Sequence, residues 1–72
     1  MDDVVAEHVG SILRVQLNRP TKLNAMTSAM YVALASIFNE AANDANTRVV
    51  LWHGAGESFC AGNDIEDFLR NL

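Results

Sequence analysis

A single cysteine leaves the chain without any internal disulfide. A lone thiol, with Asp2 and Asp3 where a basic and apolar leader would stand, fits a reducing, cytoplasmic setting. One proline and four glycines are too few for a flexible linker, and no internal repeat or low-complexity tract is visible. Only five residues are basic: Arg14, Arg19, Lys22, Arg48 and Arg70. They are scattered, and against nine acidic residues they give a net charge of −4. No basic stripe is possible, which argues against nucleic acid or an anionic membrane as partner. No uninterrupted apolar run approaches the ~20 residues of a membrane span.

What the chain does have is apolar surface. Half of its 72 residues are hydrophobic and 19% are charged. The mean hydropathy is +0.08 and the isoelectric point about 4.8. A domain usually needs about 100–200 residues, and a core of this size rarely supplies more than about 3–5 kcal/mol. The composition is too apolar for disorder and rich for a small monomer. The expectation is a chain whose surface is covered by further protein, from a longer chain or from partner subunits.

The pattern along the chain predicts an α/β unit. Val4–His8 and Ile12–Leu17 lean to strand, with Gly10 free to take the positive φ of a hairpin turn. Leu13, Val15 and Leu17 alternate with Arg14 and Gln16, which gives one buried face. Pro20 ends that strand, and residues 18–22 read as a loop. From about Thr27 to Asn43 the period becomes helical. Met26, Met30, Ala33, Leu34, Ile37, Phe38 and Ala41 form the apolar stripe, and Thr27 is the expected N-cap. Val49–Trp52 is a continuous apolar run, expected to be a strand buried on both faces. Strand, helix, strand implies a right-handed crossover with parallel pairing. Asp64–Leu72 reads as a second helix, with Ile65, Phe68, Leu69 and Leu72 on one face.

The glycine-bearing stretch Gly54–Asn63 follows that strand, where open α/β sheets hold their ligands. Gly54-x-Gly56-x-x-Phe59 imitates a dinucleotide fingerprint, but Phe59 stands where the third glycine is needed. Cys60 with His53 lacks a third orienting group and reads as a small buried thiol beside a strand-end histidine. His8 and His53 lack metal-ligand spacing. Asp64, Glu66 and Asp67 suit the first turn of a helix better than acid–base chemistry. The turn Ala61-Gly62-Asn63-Asp64 is the least ordinary feature. Small residues run into a helix start, where N–H groups can meet an anion or a developing oxyanion.

Ordered motifs along the chain resemble one known family. Asn18-Arg19-Pro20-x-x-x-Asn24-Ala25-Met26, Arg48-Val49-Val50-Leu51-x-x-Gly54-x-Gly56-x-x-Phe59 and Cys60-Ala61-Gly62-x-Asp64-Ile65 are similar to the N-terminal part of the enoyl-CoA hydratase/isomerase (crotonase) superfamily. The resemblance spans about residues 4–69. It implies that residues 1–72 are the N-terminal portion of one domain built from ββα spiral units, which assembles into trimers or hexamers. It implies an acyl-CoA thioester substrate, which brings coenzyme A with it, and no tightly bound cofactor or metal. The backbone N–H of Asn63 is implied as one oxyanion-hole donor. Lys22, Asn24, Ala25, Ala61, Gly62, Asp64 and Ile65 are implied to line the coenzyme A and acyl site. Hydratase chemistry is the expected reaction, with Δ3,Δ2-enoyl-CoA isomerase or a non-catalytic acyl-CoA-binding or structural module as alternatives. Some members place lysines where this chain has Glu57 and Glu66. The second donor and the catalytic glutamates of the family lie beyond Leu72, so residues 1–72 alone are expected to be inactive.

Overall fold

A computed structural model describes residues 2–71. Two strands, β1 (Val4–Val9) and β2 (Ile12–Leu17), form an antiparallel hairpin in register from Val4 opposite Leu17 to Val9 opposite Ile12. A short 3-10 turn, Pro20–Lys22, stands where the sequence predicted only loop. Helix α1 covers Ser28–Ala42, strand β3 Val49–Gly54 and helix α2 Ile65–Arg70. β3 pairs parallel to β2, from Ile12 opposite Val49 to Leu17 opposite Gly54, so the sheet order is β1-β2-β3. The chain-reversing helix between parallel strands is the connection that the change of period predicts. No helix among the described residues is long and apolar enough to cross a membrane.

Packing follows from the two periods. Leu13, Val15 and Leu17 point to one side of the sheet and are buried there against Met30 and Leu34 of α1, with Met26 beside them. Val4, Ile37, Phe38, Ala41 and Cys60 pack around this cluster and are partly buried. Thr27 caps α1 as expected: it is extended, at φ −93° and ψ 166°, and its hydroxyl accepts the Met30 N–H at 3.2 Å. Met26 belongs to the core but not to the helix; it forms an isolated parallel bridge with Asn63.

Two expectations are corrected, for β3 and for Cys60. β3 is not buried on both faces: Val49, Val50, Leu51 and Trp52 are all about half exposed. α1 lies over one side of the sheet only, and β3 has a neighbour on one edge only. The apolar side of α2 is also uncovered, with Ile65, Phe68 and Leu69 exposed; Leu72, expected on that face, lies outside the described residues. Cys60 is half-buried rather than enclosed.

Candidate functional site

The carboxyl ends of β2 and β3 lead into two loops that lie side by side. In the first, Pro20 opens the 3-10 turn with its fixed φ. Leu23 and Asn24 follow in the left-handed region, at φ 53° and 58°. Asparagine tolerates that region; leucine does so at a cost and needs the surroundings to impose it. The Asn24 side chain is the anchor. It is completely buried, accepts the Arg19 N–H at 2.8 Å, and donates to the carbonyls of Ala55 at 2.9 Å and Ser58 at 2.8 Å. Gly54 makes room for this clamp. A Cβ there would lie 2.5 Å from the Ser58 carbonyl oxygen, 2.6 Å from that of Phe59 and 2.8 Å from Asn24 Nδ2.

Backbone bonds then join the loops edge to edge. The Ala61 N–H donates to Leu23 O at 3.0 Å, Met26 N–H to Gly62 O at 2.7 Å, and Asp64 N–H to Met26 O at 2.8 Å. This is a one-residue parallel ladder around Asn63. In such a ladder the bonds are made by the residues on either side, so the Asn63 N–H itself faces away from Met26. The peptide that sequence reasoning singled out is therefore held rigidly on one side and open on the other. Gly62, at φ 104°, sets this turn, and a Cβ there would meet no neighbouring atom. Its glycine answers the backbone conformation and not a crowded site.

Charged groups brace the same junction. The Arg19 guanidinium donates to Ala25 O at 2.6 Å and to Asp64 Oδ2 at 3.0 Å, and both side chains of that ion pair are largely buried. Asp64 caps α2 by accepting the Asp67 N–H at 2.9 Å. That amide and the Arg19 guanidinium hold the Asp64 carboxyl below the usual carboxylate range. Asp67 in turn accepts from Ser28 N at 2.8 Å and Ser28 Oγ at 3.0 Å, which ties α2 to the start of α1. The helix start is thus occupied by the protein's own carboxylate. The anion-binding expectation then rests on the peptide N–H of Asn63.

The implied site residues fall into two groups. Asn24, Ala25, Ala61, Gly62, Asn63 and Asp64 are brought together at the ladder. Lys22, at the end of the 3-10 turn, and Ile65, at the start of α2, are exposed on its rim. Asn24 and Asp64 have their side chains engaged inside the protein, so neither presents a free polar group to a ligand. His53 follows Trp52 on β3 and so faces the opposite side of the sheet from the groove that Cys60 lines, which separates the two. Sequence reasoning missed Arg19, Tyr31 and Asp67 as parts of the site. Arg19 stood inside a quoted motif without a role. Tyr31, whose hydroxyl donates to Asn63 Oδ1 at 2.5 Å, gave no signal in a pattern that reads it as an outward helix position.

Two cavities flank the junction. An apolar groove of about 400 Å³ runs along α1 between Leu34, Phe38, Trp52 and Phe59. Trp52 is fixed there edge-on to Phe38 and Phe59, with ring centroids 5.2 and 5.3 Å apart. A more polar cleft of about 270 Å³ lies at the head of α1 beside Ser28, Asn63 and Asp67. Met26 and Tyr31 line both.

Comparison with known proteins agrees with this arrangement. The family profile for enoyl-CoA hydratase/isomerase matches residues 12–72. The Arabidopsis thaliana protein named "Probable enoyl-CoA hydratase 1, peroxisomal" is 39% identical over 72 residues, covering 90% of this chain and 27% of that protein. The human mitochondrial Delta(3,5)-Delta(2,4)-dienoyl-CoA isomerase is 41% identical over 61 residues, 85% of this chain and 19% of that one. The crystal structure of an enoyl-CoA hydratase from Mycobacterium tuberculosis H37Rv superposes with a TM-score of 0.90 at 37% identity, over 94% of this chain and 27% of that chain. The chain thus spans about a quarter of the length of these relatives. Hairpin, helix, parallel strand and the bridged turn are the first part of their crotonase fold, and the chain belongs to the enoyl-CoA hydratase/isomerase family.

Proposed function

We propose that this chain forms the first half of an acyl-CoA site and gives one hydrogen bond, from the Asn63 N–H, to the thioester carbonyl. The observation that carries this reading is the ladder at Met26, which fixes the Asn63 peptide from one side and leaves its own N–H facing away. Adding water across, or shifting, a double bond conjugated to a thioester builds negative charge on the carbonyl oxygen. A donor held in place beforehand stabilises that charge without reorganising, and losing one such donor costs about 2.7–4 kcal/mol of the barrier. Because the donor is backbone, the asparagine side chain is not required for it.

The remaining carried-over residues take supporting parts. Ala61 and Gly62 keep the turn narrow, so that a thin pantetheine arm can pass. Lys22 is placed on the rim to meet a phosphate of coenzyme A, while Glu57 and Glu66 would repel one. Ala25 and Ile65 supply walls, and Asn24 and Asp64 act through the loops they hold. The second donor and the groups that move protons come from residues outside 1–72, and a trimeric or hexameric assembly completes the site. A hydratase reaction is the main reading. The 41% identity to a dienoyl-CoA isomerase favours double-bond isomerisation as the second.

The test is a titration of the 15N-labelled protein that carries this chain, followed at the Asn63 amide. Butyryl-CoA is expected to shift that resonance downfield and to slow its exchange with solvent. Free coenzyme A is expected to do neither. An Asn63 amide indifferent to the thioester overturns the reading.

A further inference from the structure

We propose that Arg19 is a positioning residue for the Asn63 donor, which it holds and polarises through a hydrogen-bonded chain of two peptide groups. The assignment rests on the acyl-CoA reading above and adds to it the residue that tunes the donor. The chain runs atom by atom. Arg19 Nη1 donates to Ala25 O at 2.6 Å. That carbonyl and the Met26 N–H belong to one peptide group, and the Met26 N–H donates to Gly62 O at 2.7 Å. Gly62 O and the Asn63 N–H belong to the next peptide group. No peptide bond among the described residues is cis. In each group the N–H therefore points opposite to the carbonyl. The cation stands at the head of the chain and the Asn63 N–H at its far end.

Each link has a physical consequence. A peptide group is planar, so fixing its carbonyl fixes the direction of its N–H. Gly62, at φ 104° and with open space where a Cβ would stand, gives this peptide little steric restraint of its own. The bond from Met26 supplies the restraint, and Arg19 fixes the peptide that makes that bond. A guanidinium draws electron density from the carbonyl it meets, which makes the N–H at the other end of that peptide a stronger donor. Chains of this kind strengthen each bond by about 10–30%. Water screens the arrangement little, because the Arg19 and Asp64 side chains are only 17% and 14% exposed. Asp64 Oδ2, 3.0 Å from Arg19 Nη2, holds the other arm of the fork. The Asp64 N–H donates to Met26 O on the far side of Asn63, so both flanks of the donor are tied to the same pair. A lysine supplies the charge but not the two-armed fork.

The experiment reads the thioester carbonyl by infrared spectroscopy in the full protein that carries this chain, with butyryl-CoA labelled with 13C at the carbonyl. A hydrogen bond to a carbonyl lowers its stretching frequency, so the bound band reports on the donors. In the wild type the band is expected below its position in water. Arg19→Met combined with Asp64→Asn removes both charges together and leaves neither buried alone. In that double variant the lowering is expected to shrink by about a fifth or more. Arg19→Lys, which keeps the charge and loses the fork, is expected to fall between the two. The position of the bound band is compared and not its intensity, so partial loss of folded protein cannot imitate the effect. A merely structural Arg19 would lower the melting temperature and leave the band in place. A bound band at the wild-type position in either variant overturns the assignment alone. A wild-type band that is not lowered at saturating thioester overturns the acyl-CoA reading and this assignment with it.

Discussion

Asn24 ties its own loop to a second one far away in the chain. Its partners in the second loop lie 31 and 34 residues away, and each polar atom of its amide has a bond inside the protein. Asn24→Ala would strand the Arg19 N–H and the Ala55 and Ser58 carbonyls. A buried polar group without a partner costs about 1–3 kcal/mol. The expected loss is therefore about 3 kcal/mol or more, comparable to all that a core of this size supplies. Urea unfolding followed by circular dichroism measures it, and a loss below about 1 kcal/mol would mean that the ladder at Met26 holds the loops unaided. The residue was legible in the sequence as one that matters, but through family resemblance and without its internal partners. The pattern of a single chain carries no record of which distant carbonyls a buried amide will find. The same holds for Gly54, whose φ is ordinary and whose need for glycine comes from Ser58 and Phe59 folding back over it.

At the scale of elements, what depends on short-range pattern was readable and what depends on neighbours was not. The stripe from Met30 to Ala41 and the hydroxyl of Thr27 define α1 to within a residue at each end. The alternation of Leu13, Val15 and Leu17 gives the buried face of β2. The apolar run of β3 shows that the strand wants cover on both sides, yet it cannot say whether these 72 residues provide it. The α1–α2 junction is likewise a long-range product, made by Asp67 on Ser28 and by Asp64 between Asp67 and Arg19. It has a pH signature. The folded Asp64 carboxyl is held below its ordinary value, first by the Asp67 N–H and then by Arg19. Its contribution to stability is therefore fully present above the unfolded value of about 3.9. It is lost as the pH falls through the lower, folded value. Asp44, held down by the Asn46 N–H and the Thr47 hydroxyl, acts in the same window. Thermal unfolding of wild type and Asp64→Asn between pH 7 and pH 2.5 separates the two. The variant is expected to start less stable and to lose less between pH 4 and pH 2.5, the remaining slope belonging to Asp44. Parallel curves would mean that the Arg19–Asp64 pair contributes nothing.

The whole molecule is larger than its length requires and leaves apolar surface open. Its radius of gyration is 12.9 Å, against about 11 Å for a compact domain of 72 residues. Among the described residues six apolar side chains are buried, while the outer face of the sheet is open. The pairing register sets that face: residues that alternate with Leu13, Val15 and Leu17 point away from α1, and among them are Val5, Val9, Ile12, Val49 and Leu51. All five are exposed at 38% or more, on a sheet whose two outer edges, along β1 and β3, are both unpaired among the described residues. The row Val9, Ile12 and Val49 is apolar throughout, while Glu7 and Arg14 pair beside Leu51 on the same face; exposed apolar rows and open strand edges promote association unless something covers them. In the relatives, of which this chain spans 19–27%, the greater part of the protein is available to do so. Residues 1–72 produced by themselves are therefore expected to sediment well above 7.9 kDa at ~100 μM and to bind an apolar dye. Leu51→Lys adds a second positive charge on this face, opposite Arg14, without touching the core on the α1 side. It is expected to shift the species towards monomer while leaving the helix signal intact. A wild-type chain that sediments as a monomer would mean that the loops and α2 close over the sheet in solution. A Leu51→Lys chain that remains associated would place the contact at the β3 edge or the α1 groove instead, and the outer face would have no part in it.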